Sequence, residues 1–320
     1  MIPIYKLLNV ALPPLSLILL TTFILPSIFF KLLTYVKKLV YSENLARKVV
    51  IITGAASGIG EQLAYEYGRR GAMLSLVDIR KENLVKVADK ARFLGSPEVI
   101  TIGADVSKVQ DCKRFVDETF NYFGRLDHLV NNAGIGRPQG VQDLQDVSEY
   151  TAVMDTNFWG AVHGTLYAIP HLKINKGRII AVASCCGWFP LPRLSIYNAS
   201  KAAVINFFET LRIELGWAIG ITIATPGFIK TDLALRSIEE EATLGRIPMG
   251  SPIECAKAIV ESACRGDMYV TNPSWGKLLF PWKLFYPEFV DWASRFFFFG
   301  LSPNSCSNIH FSGNPELKVK

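Results

Sequence analysis

From Lys48 onward, short and nearly continuous apolar runs alternate with stretches in which apolar residues return every three or four positions. The runs that read as strands are Val49–Thr53, Met73–Val77, Val99–Gly103, Leu126–Val130, Arg178–Ala183, Ile221–Thr225 and Met268–Thr271. β-Branched runs without polar alternation are buried on both faces, and helical patterns between them supply the cover. The pattern therefore predicts an α/β domain built on a doubly wound parallel sheet over residues 45–272, with ligands at the carboxyl ends of the strands. Glycine and proline punctuate single turns, and no internal repeat breaks the series.

A different pattern precedes this domain. Val10 to Phe30 contains no charged residue, enough for about 30 Å of helix, which matches a bilayer's hydrocarbon core. Pro13, Pro14 and Pro26 interrupt it, so the longest proline-free stretch, Leu15–Leu25, is too short to span. Three arrangements compete: a straight crossing, a kinked or re-entrant hairpin, and a cleaved signal peptide. Basic residues lie mainly after the apolar run and no small-x-small cleavage site follows, which disfavours the signal peptide. Residues 1–44 accordingly read as a retained membrane anchor with a basic collar. Lys31, Lys37 and Lys38 are expected to keep the next domain on the cytosolic side.

Composition sharpens this division. Half of the 320 residues are apolar and 19% are charged, which excludes a disordered chain. Of the formal net charge of +6, five units lie in the first 48 residues, where Lys6, Lys31, Lys37, Lys38, Arg47 and Lys48 face only Glu43. The nearly neutral remainder offers no basic face for nucleic acid, whereas the collar suits anionic headgroups. The six cysteines, Cys112, Cys185, Cys186, Cys255, Cys264 and Cys306, have no metal or CxxC spacing and read as small core thiols in a reducing compartment. His128, His163, His171 and His310 are scattered and read as structural or exposed.

The first strand runs directly into Thr53-Gly54-Ala55-Ala56-Ser57-Gly58-Ile59-Gly60 and then into a helical pattern. Glycines let a backbone approach a pyrophosphate, and the following helix offers free amides and a positive dipole end to its charge. Asp78, eighteen residues past Gly60 at the end of the second strand, is placed to accept hydrogen bonds from the adenosine ribose hydroxyls. Its charge leans towards NAD, while Arg80 and Lys81 beside it leave NADP open. Asp105 after the third strand either meets the adenine or caps the helix that starts near Lys108. The fourth strand ends in the polar turn Asn131-Asn132-Ala133-Gly134.

After the fifth strand comes Ser184, and thirteen residues later Tyr197-Asn198-Ala199-Ser200-Lys201 opens a helix. Residues four apart share a helical face, so Tyr197 and Lys201 can reach one site. A cationic Lys201 is expected to favour the phenolate and lower the Tyr197 pKa towards that of a general base, with Ser184 hydrogen-bonding the substrate oxygen.

Together, TGxxxGxG at Thr53–Gly60, NNAG at Asn131–Gly134, Ser184 and YxxxK at Tyr197–Lys201 resemble the short-chain dehydrogenase/reductase family, a Rossmann fold. The resemblance implies Tyr197 as acid/base, Ser184 orienting the substrate oxygen, and Lys201 binding the nicotinamide ribose while tuning Tyr197. It implies that Asn157 in Asp155-Thr156-Asn157 holds a water in a proton relay, and that Pro226-Gly227 with Thr231 holds the nicotinamide carboxamide. Gly54, Ser57, Gly58, Ile59, Gly60, Asp78, Asp105, Asn132, Ala133 and Gly134 are the further cofactor residues it implies. A narrower likeness, to the hydroxysteroid dehydrogenase-like steroleosins of plant oil bodies, rests on the proline-interrupted leader, Ser42-Glu43-Asn44-Leu45, and Asp155 to Gly160. It implies a sterol-like, lipophilic substrate, an endoplasmic reticulum or lipid-droplet location, and NADP.

The segment after Thr231, through Leu233, Leu235 and Ile238 to Pro248, is where the family places a mobile substrate lid. Residues 273–320 form an aromatic-rich extension with Trp282, Phe285, Tyr286, Phe289, Trp292 and Phe296–Phe299. Lys283, Glu288, Asp291 and Arg295 exclude a spanning helix there. A lipid contact, a homodimer contact, a roof over the substrate pocket and plain core packing all fit the pattern. Two functions follow: a membrane-anchored oxidoreductase acting on a secondary alcohol or ketone, or a lipid-droplet coat that binds nucleotide without turnover.

Overall fold

The computed structural model describes residues 4–40, 42–144 and 146–300, without the side chains of residues 34, 35, 37–40 and 149. Cys306, His310 and the side chains of Lys37 and Lys38 lie outside the described residues. Two units separate, Met1–Asn44 and Leu45–Lys320.

The first unit is one helix, α1 (Ile4–Val40), which runs through all three prolines. It is thus a continuous rod rather than a hairpin. Its stretch Ile4–Leu33 is long and apolar enough to cross a membrane and is exposed along its length. The hydroxyls inside it are satisfied within the helix: Ser16 and Ser27 donate to carbonyls three residues back and Thr22 to one four back. Such internal pairing is what an apolar solvent demands of a polar side chain.

The second unit alternates β1 (Val49–Thr53), α2 (Gly58–Arg69), β2 (Met73–Asp78), α3 (Lys81–Phe93), β3 (Val99–Gly103), α4 (Val109–Phe123) and β4 (His128–Asn131). The chain then passes through α5 (Thr151–Met154), a π-helical turn at Asp155–Trp159, and α6 (Gly160–Ile174) to β5 (Arg178–Val182). The remaining elements are α7 (Ser195–Leu215), β6 (Gly220–Ala224), α8 (Asp232–Glu240), α9 (Pro252–Arg265), β7 (Tyr269–Val270), α10 (Leu279–Phe285) and α11 (Pro287–Phe299).

All seven strands are parallel, in the order β3-β2-β1-β4-β5-β6-β7. Every residue of β1 is buried, and its side chains divide between two cores: Val50 and Ile52 on the face covered by α2 and α9, Val49 and Ile51 on the face covered by α4, α6 and α7. That two-sided burial explains why the strands lack polar alternation. Fully burying an Ile such as Ile51 is worth about 2–3 kcal/mol.

Observed strand ends depart from the expected ones by up to two residues. β2 extends to Asp78, which stays in register with Gly103. β4 starts at His128, and the carboxylate of the preceding Asp127 accepts the Val49 amide at 2.9 Å while Lys48 and Arg125 pair with it. The strand order reverses between β1 and β4, which opens a crevice at their carboxyl ends.

Candidate active site

The crevice begins where β1 gives way to Gly54, whose φ of +66° favours glycine and whose Cβ position lies 2.7 Å from the Ala133 backbone. At Gly60 a Cβ would stand 2.0 Å from the Gly54 carbonyl oxygen. Both positions are therefore closed to a side chain, and α2 starts within the turn at Gly58 with Ser57 as its extended N-cap residue. The NNAG turn braces this cradle from β4. Asn132 Nδ2 donates to the Thr53 and Gly54 carbonyls at 2.9 and 3.2 Å, and the Asn132 and Ala133 amides converge on Thr53 Oγ1 at 3.0 and 3.1 Å.

Asp78 is buried at the rim. One carboxylate oxygen accepts the Ala56 amide at 3.1 Å, and the other accepts the Arg80 amide at 2.9 Å and Arg80 Nε at 3.2 Å. Arg80 also donates to Ser57 Oγ at 2.8 Å. The acid and the base that pull in opposite directions for NAD and NADP are thus one ion pair. Asp105 accepts the Ser107 amide and hydroxyl at 3.0 and 2.7 Å, a local cap just before α4, at the carboxyl end of β3.

Across the crevice, Ser184 follows β5 and Tyr197 and Lys201 share the first turns of α7. Ser184 Oγ accepts the Cys186 amide at 3.1 Å and contacts the Tyr197 hydroxyl. Lys201 is buried, donates to the Val182 carbonyl at 3.1 Å, and sits with Nζ 5.7 Å from the Tyr197 ring centroid. Asn157 is buried in the π-helical turn. Its amide hydrogens go to the Ile135 carbonyl at 2.9 Å and Ser200 Oγ at 3.0 Å, and its oxygen accepts the Ile135 amide at 2.8 Å. With its side chain so committed, it holds the Gly134–Ile135 segment, and Gly134 has Asn157 Oδ1 and Lys201 Nζ within 3.2 and 3.3 Å of its Cβ position. Thr231 caps α8 by accepting the Ala234 amide, and its methyl lies 3.1 Å from the Gly58 Cβ position.

Burial opposes the lowering of the phenol pKa expected from Lys201. Burial is the largest influence on Tyr197 and pushes its pKa up, with the neighbouring Cys186 adding to the rise and the Ser184 contact opposing it. Burial also pulls Lys201 down, to about 8. Desolvation disfavours both charged forms.

Ser184 and Tyr197 open into a cavity of about 620 Å³ whose walls are mainly apolar, including Leu191, Phe228, Leu233 and Phe297. α11 contributes Phe289, Val290 and Phe298 and α10 contributes Trp282, so one side of the aromatic stretch roofs this space, while Phe285, Tyr286, Trp292 and Phe296 are exposed. Phe298 packs with Leu194 and Leu244 in a third core. Leu235 of α8 is exposed instead, and Ile238 packs into the third core.

Two features were not legible as site elements. Cys185 and Cys186 line the cavity, whereas Cys112, Cys255 and Cys264 are buried core thiols as expected. Arg193, with φ +64°, pairs with Asp143 and Glu241 and accepts the Gln139 amide on its carbonyl, joining three segments at the cavity rim. Its only sequence signal was a lone cation before Tyr197.

The family profile described as short chain dehydrogenase matches residues 48–242. The chain belongs to this family. Full-length relatives agree: it is 46% identical over 311 residues to 11-beta-hydroxysteroid dehydrogenase 1A of Arabidopsis thaliana, spanning 92% of this chain and 89% of the relative. Identity is 46% over 317 residues with 11-beta-hydroxysteroid dehydrogenase of Pinus massoniana, covering 95% and 89%. It is 50% over 287 residues with 11-beta-hydroxysteroid dehydrogenase-like 4A of Arabidopsis thaliana, covering 89% and 96%. Among solved structures, a short-chain dehydrogenase/reductase from Burkholderia phymatum in complex with NAD superimposes with a TM-score of 0.70 at 24% identity, over 77% of this chain and 96% of that one. A 7α-hydroxysteroid dehydrogenase complexed with NADH and 7-oxo-glycochenodeoxycholic acid gives a TM-score of 0.66 at 25% identity, over 71% and 93%. The short-chain dehydrogenase is therefore an NAD(P)-dependent oxidoreductase, and a glycine cradle with no room for a Cβ fits that cofactor.

Proposed function

We propose that this short-chain dehydrogenase interconverts a secondary alcohol and a ketone on a sterol-like substrate at a membrane or lipid-droplet surface. The observation that carries the reading is the meeting of Ser184 and Tyr197 at one end of an apolar cavity of about 620 Å³. A cavity of this size and lining suits a flat lipophilic molecule with one polar group.

When bound, NAD(P) accepts or supplies the hydride. Gly54, Ser57, Gly58, Ile59 and Gly60 hold its pyrophosphate, Asp78 and Asp105 its adenosine end, and Asn132, Ala133, Gly134 and Thr231 the nicotinamide side. Lys201 holds the nicotinamide ribose, and Asn157 positions the Gly134–Ile135 backbone beside it. Ser184 donates a hydrogen bond to the substrate oxygen, and Tyr197 gives or takes its proton. A protonated Tyr197 serves ketone reduction by donating its proton to the substrate oxygen. Alcohol oxidation needs the phenolate and should therefore speed up as pH rises.

Residues 1–44 serve as the anchor, 45–272 as the catalytic domain on the cytosolic side, and 273–320 as an aromatic-rich extension whose Trp282, Phe289, Phe297 and Phe298 line the cavity, with the endoplasmic reticulum or the lipid droplet as the location. Purified full-length protein in detergent, given NAD or NADP with a panel of hydroxysteroids and ketosteroids, should show cofactor turnover. Tyr197→Phe should bind cofactor normally and lose turnover by roughly 10²-fold or more. Retained turnover in that variant would remove the mechanism. The apolar helix α1 also favours the coat reading, which deletion of residues 1–38 separates: an enzyme keeps its turnover when released from membranes, and a coat has none to keep.

A further inference from the structure

Adjacent cysteines directly after Ser184 have no part in the proton transfer above. Cys185 and Cys186 form a 3₁₀ turn, Cys185–Gly187, capped by Ser184 Oγ on the Cys186 amide. The turn is clamped from two sides. The Cys185 amide donates to the Pro226 carbonyl at 2.8 Å, and a Cβ on Gly187 would meet the Lys201 backbone at 2.8 Å and Ile205 at 2.6 Å. Both thiols are free, contact each other and Ser184, and line the apolar cavity.

Surroundings separate this pair from the other described cysteines. Burial pushes Cys112 and Cys255 up to about 12, leaving them inert. Cys186 is lowered instead, by its contacts with Cys185 and Ser184 and by the Lys201 charge, while Cys185 is raised. A thiol in contact with a second thiol and a hydroxyl, under the charge of a buried ammonium and facing a cavity that concentrates lipophilic molecules, has both the nucleophile and the means of delivery.

We propose that Cys186, supported by Cys185, is a covalent capture site for lipophilic α,β-unsaturated ketones that enter the substrate cavity. In the reaction the Cys186 Sγ forms a bond to the β-carbon, the carbon–carbon π bond breaks, and the thiol proton ends on the α-carbon, so no oxidant or second reactant is consumed. The adduct lies beside Ser184 and Tyr197 and blocks the end of the cavity where the substrate oxygen binds. Electrophilic lipids would thereby switch the enzyme off.

The test uses full-length protein in detergent carrying Cys306→Ser, because Cys306 lies outside the described residues. Oct-1-en-3-one is the probe, and intact mass with peptide fragmentation is the readout. The expected result is one adduct, on Cys186, forming about tenfold or more faster than on Cys112, Cys255 or Cys264 and faster than in guanidinium-unfolded protein. Cys186→Ser should abolish the fast adduct, while Cys185→Ala should keep it on Cys186. Equal labelling of the core cysteines, no gain over unfolded protein, or fast labelling of Cys185 in Cys186→Ser would each overturn the proposal. Capture needs no turnover, so a lack of steroid oxidation or reduction would count against the proposed function and leave the mass result to decide this one.

Discussion

A buried lysine with no carboxylate beside it among the described residues should cost the fold stability, and Lys201 allows that cost to be worked out. Its pKa falls from the ordinary 10.5 to about 8, with burial as the largest cause. At about 1.4 kcal/mol per pH unit this amounts to about 3 kcal/mol of destabilisation at neutral pH. Lys201→Met removes the charge at similar length but also leaves the Val182 carbonyl without its 3.1 Å partner, a loss of about 1 kcal/mol. The variant should therefore be more stable than the parent by about 2 kcal/mol at pH 7, a rise of about 4–8 °C in Tm for a domain of this size. The sign has a pH signature. Below pH 8 both states of the parent hold the proton and the full penalty applies. Between pH 8 and 10.5 only the unfolded state keeps it, so the parent gains stability as pH rises and the gap closes. Near pH 10.5 the order should reverse by about the lost hydrogen bond. Thermal unfolding of full-length protein in detergent at pH 7, 8.5 and 10 measures this, while turnover falls by roughly 10²-fold. A variant less stable at pH 7, or a gap independent of pH, would refute the assignment of Lys201 as a desolvated cation kept for chemistry.

Three other substitutions test the crevice and its rim. Asp78→Asn removes a carboxylate that would face the 2′-phosphate of NADP. A pair of unit charges at about 4 Å and an effective dielectric near 20 repels by about 4 kcal/mol, of which the Arg80 ion pair already cancels a part. The ratio of kcat/KM for NADP to that for NAD should rise about tenfold or more, and an unchanged ratio would show that Asp78 does not select the cofactor. Gly60→Ala drives a methyl group into the Gly54 carbonyl, 2.0 Å from its Cβ position, so cofactor affinity by fluorescence titration should fall at least about tenfold and Tm should drop. Arg193→Ala cuts the tie between the Asp143 loop and Glu241 at the end of α8. KM should rise severalfold with a smaller change in kcat, and proteolysis between residues 232 and 248 should speed up.

How far sequence alone reaches can be seen by comparing Tyr197 with its neighbours. The seven strands were readable because burial on both faces is a local demand, written into runs such as Val49–Thr53 and met by helices on either side. The glycine turn was readable for the same kind of reason: a backbone that must pass within 2.0 Å of a Cβ position admits one residue type. Spacing also placed Tyr197 and Lys201 on one face of α7. Their protonation was not readable, because a pKa depends on everything packed around a group, and here burial acts on both the phenol and the ammonium. The same limit hid Cys185 and Cys186, whose role depends on a turn wedged between Pro226 and α7, and the roof, whose Phe298 finds Leu194 and Leu244 only after the chain has closed. Proline in α1 misled in the opposite sense. Its ring removes one hydrogen bond and argues for a break, yet in an apolar helix the remaining pairs and the back-bonded Ser and Thr hydroxyls keep the rod intact. Local rules therefore identify which residues assemble, and the desolvation created by assembly determines which of them hold protons, react or stay inert.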